Sequence, residues 1–391
     1  MLEIVREFAL EMLLKTGEID DLQRLHAGYF LLLAEEADPF LQSDKCDEWL
    51  KKLENEHDNL RAALAWSLKN APETLVRLAA ALRYFWLDHC HHSEGFWWST
   101  AAMQVSENVA SEARSKLMLA NGLFLKKQGQ FDEARKVYEK ILAENREAKN
   151  LSLIVMALNG LASNAVLQKD AAAAQIFLEE ALAVSRKLND EMLLAYTLCS
   201  LGDFEMSREN PVSARPLLDE CLTLSKKLGN KRLLSNTYLN LGIVYFLENE
   251  YDAAALKFSE SLQTAQAMDD KKTISYTLDG FAALAAKSGN AEQSAKLAGA
   301  AETLRESVDY QIEPAEEIFR EKYMAATRAA LAPKDFTAAY KIGRSLDFSE
   351  SIALTKIATF DFSDAFGENV SEIIIETRQI SRIIIEKEIE N

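Results

Sequence analysis

The sequence predicts an all-α fold built from repeated helical hairpins, and three observations predict it. Glycine and proline are scarce, 14 and 6 in 391 residues, so few turns are encoded for so long a chain. Apolar residues recur at helical spacing through most of the sequence. The chain also aligns with itself at an offset of 40 residues, and a fixed period of that size marks a repeat array. A hydrophobic share of 48% is enough for a large core and argues against global disorder.

Four columns carry the repeat. Gly122, Ala162, Gly202, Gly242 and Ala282 are all small, as are Ala134, Ala174, Ala214, Ala254 and Ser294. A bulky column follows, Tyr138, Leu178, Leu218 and Phe258, ending in Ala298. The fourth reads Ile141, Ala181, Cys221, Ser261 and Ala301, small in all but the first unit. The first two columns fall on opposite helices of each hairpin, where a missing side chain lets two backbones approach while the bulky residue fills the remaining gap. The hairpins should turn at Gly129 and Gln130, Lys169 and Asp170, Glu209 and Asn210, Asn249 and Glu250, and Gly289 and Asn290.

These columns resemble the tetratricopeptide repeat over residues 111–310. In the fourth unit Tyr238, Leu241, Gly242, Tyr245, Ala254 and Phe258 match its pattern, with Ser261 in place of the usual Ala. The resemblance implies a right-handed superhelix whose concave face is lined by the first helix of each hairpin. The period exceeds the usual length of about 34 residues. Segments such as 262–278 hold no Gly or Pro, which assigns the additional residues to longer helices and a deeper groove. Trp98 and Ala101 fall 40 residues before Tyr138 and Ile141, so residues 71–110 read as a degenerate first unit. Residues 311–350 read as a degenerate last one, and such terminal units act as caps.

Ahead of the repeats, residues 1–14, 20–37 and 46–69 read as amphipathic helices. The stretches MLEIVREFALE at 1–11, HAGYF at 26–30, and Trp49, Leu50, Leu53 and Glu56 leading into NLRAALAW at 59–66 resemble the segment that joins the winged-helix end of bacterial NB-ARC-type ATPases to their tetratricopeptide region. Gly95 after Glu94, and LAGAA at 297–301 with Leu304 and Arg305, match the same family. Those ATPases are signal-responsive transcriptional regulators, some with a LuxR-type DNA-binding domain. The resemblance spans most of residues 1–350 and implies their C-terminal sensor portion, as a fragment, a split gene product or a free-standing protein. The sequence holds no Gly-x-x-x-x-Gly-Lys-Ser/Thr loop to cradle phosphates, and no basic helix-turn-helix follows residue 350. The expected division is a helical segment at 1–70, the repeat array at 71–350 and an Ile/Glu-rich tail at 351–391, partly ordered at most.

Charge and chemistry narrow the function. Lys and Arg number 44 against 61 Asp and Glu, a net −17, which argues against a direct nucleic-acid binder because counterion release needs clustered cations. No apolar run reaches the ~18 residues of a membrane span, and the N-terminus lacks a signal-peptide pattern, so no membrane partner is expected and the cytoplasm is the expected compartment. Cys46, Cys90, Cys199 and Cys221 are too few for a disulfide framework. His89, Cys90, His91 and His92 are metal-ligand types, but sequence neighbours point in different directions and no second pair stands at ligand spacing. No metal or cofactor is therefore expected, and a metal-dependent enzyme is the weakest of the function classes. His57, within Glu54 to Asn59, reads as surface electrostatics, with Glu54 and Asp58, and His57 and Arg61, at i,i+4 spacing.

Binding remains. Carried over by column, the concave face offers Tyr196, Asn236 and Tyr276 in one row, Asn159 and Asp279 in the next, then Asn240, with Asp203 a turn further on. Tyr supplies area with a polar tip and Asn can pair with a peptide backbone or a polar small molecule; the alternative use of these side chains is to pack against the adjacent hairpin. The expected role is a non-enzymatic sensor or docking module of an ATPase-type transcriptional regulator. It would take a peptide, a protein segment or a small inducer, with a separate ATPase or DNA-binding subunit as a further partner. The alternative is a free-standing scaffold unrelated to transcription.

Overall fold

The computed structural model describes residues 18–357 apart from 44, 89, 90, 108, 110, 309–311 and 313. Among the described residues all regular structure is helical, as the sequence predicts, and there is no strand. The expected helix at 1–14, the tail at 351–391 beyond residue 357, and His89 and Cys90 lie outside them.

Among the described residues the chain forms two compact units, one within 1–274 and 310–318 and the other within 275–309 and 319–391. The first opens with α1 (Ile19–Ala37), a 3₁₀ turn (Asp38–Gln42), α2 (Cys46–Asn55), α3 (His57–Asn70), α4 (Pro72–Ala81), α5 (Arg83–Asp88) and α6 (His92–Gln104). The single helix expected over 46–69 is instead two, breaking at Glu56, whose N–H bonds back to the Leu53 carbonyl. The break falls in Glu54–Asn59, a run of charged and amide side chains that compete for backbone partners and favour helix ends. Among the described residues, Leu33, Leu53 and Leu64 of the N-terminal segment share one hydrophobic core with Leu78, Trp86 and Phe124.

Four hairpins follow: α7 (Ser111–Lys127) with α8 (Phe131–Ala148), α9 (Leu151–Leu167) with α10 (Ala171–Ser185), α11 (Glu191–Ser207) with α12 (Pro211–Leu228), and α13 (Lys231–Leu247) with α14 (Tyr251–Gln266). The fifth, α15 (Lys271–Lys287) with α16 (Ala291–Ser307), keeps the period. Every first helix has 17 residues, so the length beyond an ordinary repeat is helix.

The turns repeat as strictly as the helices. Gly129, Lys169, Glu209, Asn249 and Gly289, 40 apart, all adopt the left-handed conformation at φ of 58–81°. In each case the next residue sends its N–H five residues back, as Asn210 does to Glu205 O (2.9 Å) and Glu250 to Tyr245 O (2.8 Å), closing orphan carbonyls at the helix end. A second polar column, Asn150, Asp190, Asn230 and Asp270, caps the first helices by accepting from the backbone N–H three residues on, which satisfies an orphan donor.

The packing columns hold. Ala134, Ala174, Ala214 and Ala254 are fully buried, as are Ile141, Ala181, Cys221 and Ser261. A Cβ on Gly242 would stand 2.5 Å from the Phe258 ring, one on Gly202 2.5 Å from Leu218, and one on Gly122 2.7 Å from Tyr138. The small residue therefore admits the large one 16 positions later.

In the second unit α16 lies against α18 (Pro333–Ser345), which follows α17 (Pro314–Ala330) and precedes α19 (Phe348–Ile357). A Cβ on Gly343 would stand 1.9 Å from Lys296 O, and one on Gly299 2.2 Å from Tyr340 O. The obstacle is backbone, so only glycine permits this crossing. Both α18 and α19 pack against α16 of the fifth hairpin.

Candidate functional site

In the first unit the first helices of the second to fourth hairpins present one polar face. Tyr196, Asn236, Asn159, Asn240 and Asp203 are half-buried on it. Their side chains link neighbouring first helices: Asn159 Nδ2 donates to Thr197 Oγ1 (3.0 Å), Asn236 Nδ2 to Cys199 Sγ (3.4 Å), and Asn240 Nδ2 to Asp203 Oδ1. Packing against the adjacent hairpin thus accounts for part of each residue, and the half-exposed remainder faces outward.

Tyr276 and Asp279 differ. Both belong to the second unit and are buried, at 5% and 4% exposure. Asp279 accepts from Arg305 Nη1 (2.5 Å) and from the Tyr323 hydroxyl, with Arg320 Nε 3.6 Å away. Burial and the Asp279 carboxylate push the Tyr323 hydroxyl well above its usual range. Asp279 therefore anchors a closed ion cluster, completed by Glu302, and is not open to a ligand.

Sequence reasoning missed Asn230. Besides capping α13 through Oδ1 (Leu233 N–H, 2.9 Å), this buried amide donates to Gln42 O (2.8 Å) and Tyr196 Oη (3.3 Å). The segment after α1 is thus tied to the repeats 188 positions further on, and the Asp38–Arg83 ion pair (2.7 Å) fixes its other end. A shallow cleft with room for about one water lies here, bordered by Gln42, Cys46, Tyr196, Asn230, Arg232 and Met268 among others. The cap column Asn150, Asp190, Asn230, Asp270 was the available signal, since a capping residue type precedes each apolar run.

The residues weighed for metal or catalysis do converge in part. His57 is 7% exposed, Nε2 3.2 Å from Glu94 Oε1, and His91 Nε2 lies 3.1 Å from Glu54. His57 is thus a buried group, not the surface one expected, because the Glu56 break turns it toward Phe85. Burial pushes the Glu94 carboxyl up, but Arg61 and His57 outweigh it and hold it below the usual carboxylate range. Cys199 and Cys221 are buried, and Cys221 Sγ donates to Ala195 O (3.2 Å), a packing role as its column predicts.

Residues 114–187 and 193–267 match the tetratricopeptide repeat, so the chain carries this protein-interaction module. A Mycobacterium tuberculosis protein named "Putative HTH-type transcriptional regulator Rv0890c" is 31% identical over 183 residues, 44% of this chain and 20% of that protein. The chain thus spans about a fifth of the length of the curated relatives it matches. Among solved structures, the apo form of RapI superposes with a TM-score of 0.50 at 14% identity, covering 77% of this chain and 97% of RapI, a likeness of fold. A signal transduction ATPase with a tetratricopeptide repeat sensor from Pyrococcus horikoshii gives 0.46 at 14% identity, covering 83% of this chain and 55% of that one. Among the described residues no helix is long and apolar enough to cross a membrane.

Proposed function

We propose that the chain is a non-enzymatic cytoplasmic sensor or docking module of an ATPase-type transcriptional regulator, and that it takes a peptide or protein segment on the first-helix face of its second to fourth hairpins. The observation that carries this reading is the half-exposed polar row of Tyr196, Asn236 and Asn240, continuous with the cleft bordered by Asn230. The mycobacterial regulator similar to this chain supports the transcriptional context. A small inducer would use the same polar face, and a separate ATPase or DNA-binding subunit is the partner through which binding would be read out.

The row suits an extended peptide. Asn amides offer both a donor and an acceptor to a peptide backbone, Tyr196 offers a flat apolar face, and equivalent positions recur from one hairpin to the next. The test is selection of peptides from a random displayed library on the immobilised chain, followed by titration of a synthetic winner. Tyr196→Ala should weaken it at least tenfold, the loss of roughly 1.4 kcal/mol or more expected of a buried anchor. Lys187→Ala, at an exposed position of the loop after α10, should leave it unchanged. Equal affinities in both variants would remove the face from consideration.

A further inference from the structure

The degenerate first hairpin departs from the packing code, with Leu82 in the column of Gly122 and a carboxylate in the column of Ala134. Ala134, Ala174, Ala214 and Ala254 are fully buried small residues, yet stepping back 40 residues from Ala134 gives Glu94, near the start of α6. A carboxylate in a small-residue column has no packing rationale, and the structure shows what it holds. Glu94 receives Arg61 through Nε (3.0 and 3.1 Å) and Nη2 (2.5 Å), and its Oε1 lies 3.2 Å from His57 Nε2. An ionised carboxylate only accepts, so His57 Nε2 carries a proton. In the neutral ring Nδ1 then bears the lone pair, and Nδ1 is the atom nearest Glu54, at 4.0 Å from Oε1.

Glu54 in turn meets His91, Oε2 to Nε2 at 3.1 Å, and the His57 and His91 rings lie 4.5 Å apart; by the same rule His91 Nε2 carries a proton without an ion, and binding one there would displace it. One ligand atom from each of Glu54, His57 and His91 falls within 4.8 Å of the others. Around a tetrahedral ion with bonds of about 2.0–2.1 Å, neighbouring ligand atoms stand about 3.4 Å apart. The observed distances, 3.1 Å from Glu54 Oε2 to His91 Nε2 and 4.0 Å from Glu54 Oε1 to His57 Nδ1, run from that spacing outward within the 4.8 Å spread of the set, so the ligands must draw together on an ion. Closing the triangle falls to the two partly exposed side chains, while His57 is fixed against Phe85 by its burial and edge-on ring contact.

We propose that Glu54, His57 and His91 form a site for a divalent transition-metal ion of the zinc class, with Glu94 and Arg61 as the outer partners that orient His57. Two imidazoles and one carboxylate suit zinc and its neighbours and disfavour magnesium and calcium, which take oxygen ligands. A carboxylate on the far nitrogen of a ligating histidine is the usual device for fixing its tautomer. The ion would clip the corner between α2 and α3 to the start of α6. It concerns the N-terminal helices and is independent of what the repeats bind.

The experiment uses the full chain, stripped with a chelator and titrated with zinc against a chromophoric competitor, with cobalt as a spectroscopic substitute. One ion per chain is expected, with the visible band of four-coordinate cobalt and a raised Tm. His91→Ala should abolish both. Glu94→Gln should weaken zinc roughly 10–100-fold, the range for outer partners, while helicity by circular dichroism is retained. Cys90→Ser and His92→Ala should bind as the parent does. Should His91→Ala fail to fold, Glu54→Gln, at a half-exposed side chain, reads the same loss. Less than one ion per chain, affinity unchanged in His91→Ala or Glu54→Gln, or loss on replacing Cys90 or His92 instead, would overturn the site and leave an ion-paired histidine cluster.

Discussion

The first helices of the fourth and fifth hairpins hold the same columns and put them to opposite uses. On α13, Asn236 and Asn240 are half-exposed. On α15 the equivalents are Tyr276, buried, and Gly280, buried, with Asp279 beside them in an ion cluster. A repeat column fixes which side of the backbone a residue takes, because that follows from the helical hairpin itself. It does not fix what lies above that side. Over Asp279 lie Arg305, Arg320 and Tyr323, and their arrival there is not periodic.

The sharpest way to break this comparison is Asp279→Ala. It would leave Arg305, 2% exposed, without its main counter-charge, and removing one partner of a buried pair typically costs about 3–5 kcal/mol. Urea denaturation reads this directly; a loss under about 1 kcal/mol would mean the cluster contributes little. Gly242→Leu should cost about 1–3 kcal/mol by driving a side chain into Phe258, and the damage should reach the adjoining hairpins in hydrogen exchange because repeats are stabilised by neighbours. Unchanged thermal unfolding would break the column assignment.

Smaller effects sharpen the contrast. Asn240→Ala removes the bond to Asp203 on a half-exposed face and should cost about 0.5–1.5 kcal/mol, well below Asp279→Ala; equal losses would make both positions core. Tyr138→Phe should change stability by less than about 0.5 kcal/mol or raise it, since the Tyr138 hydroxyl is buried with no hydrogen-bond partner among the described residues. A loss above that in thermal unfolding would reveal a partner for it.

What was legible in the sequence was what the period repeats. Glycine against a large residue 16 positions on, seen in three units, and the turns at 129, 169, 209, 249 and 289, repeated in all five, follow from local geometry. Convergence of non-repeating segments was not legible. Gln42 meets Asn230 across 188 positions, and His57 meets Glu94 across 37, and no spacing rule links them. Asp279 misled for a related reason: its column says groove, while its partners come from α16 and α17. The break at Glu56 was written in a polar run, yet a run of that kind serves equally as an exposed helical face.

The central claim is that the first-helix face of the second to fourth hairpins is where a partner lies. The most direct measurement is photo-crosslinking of a selected peptide bearing a photoreactive residue, with the adducts mapped by mass spectrometry. Adducts are expected on Met156, Tyr196, Ser200 and Asn236, which are half-buried on that face, and should be lost under competition by unlabelled peptide. Competable adducts confined to exposed second-helix residues such as Ile176, Val212 and Leu256 would contradict it.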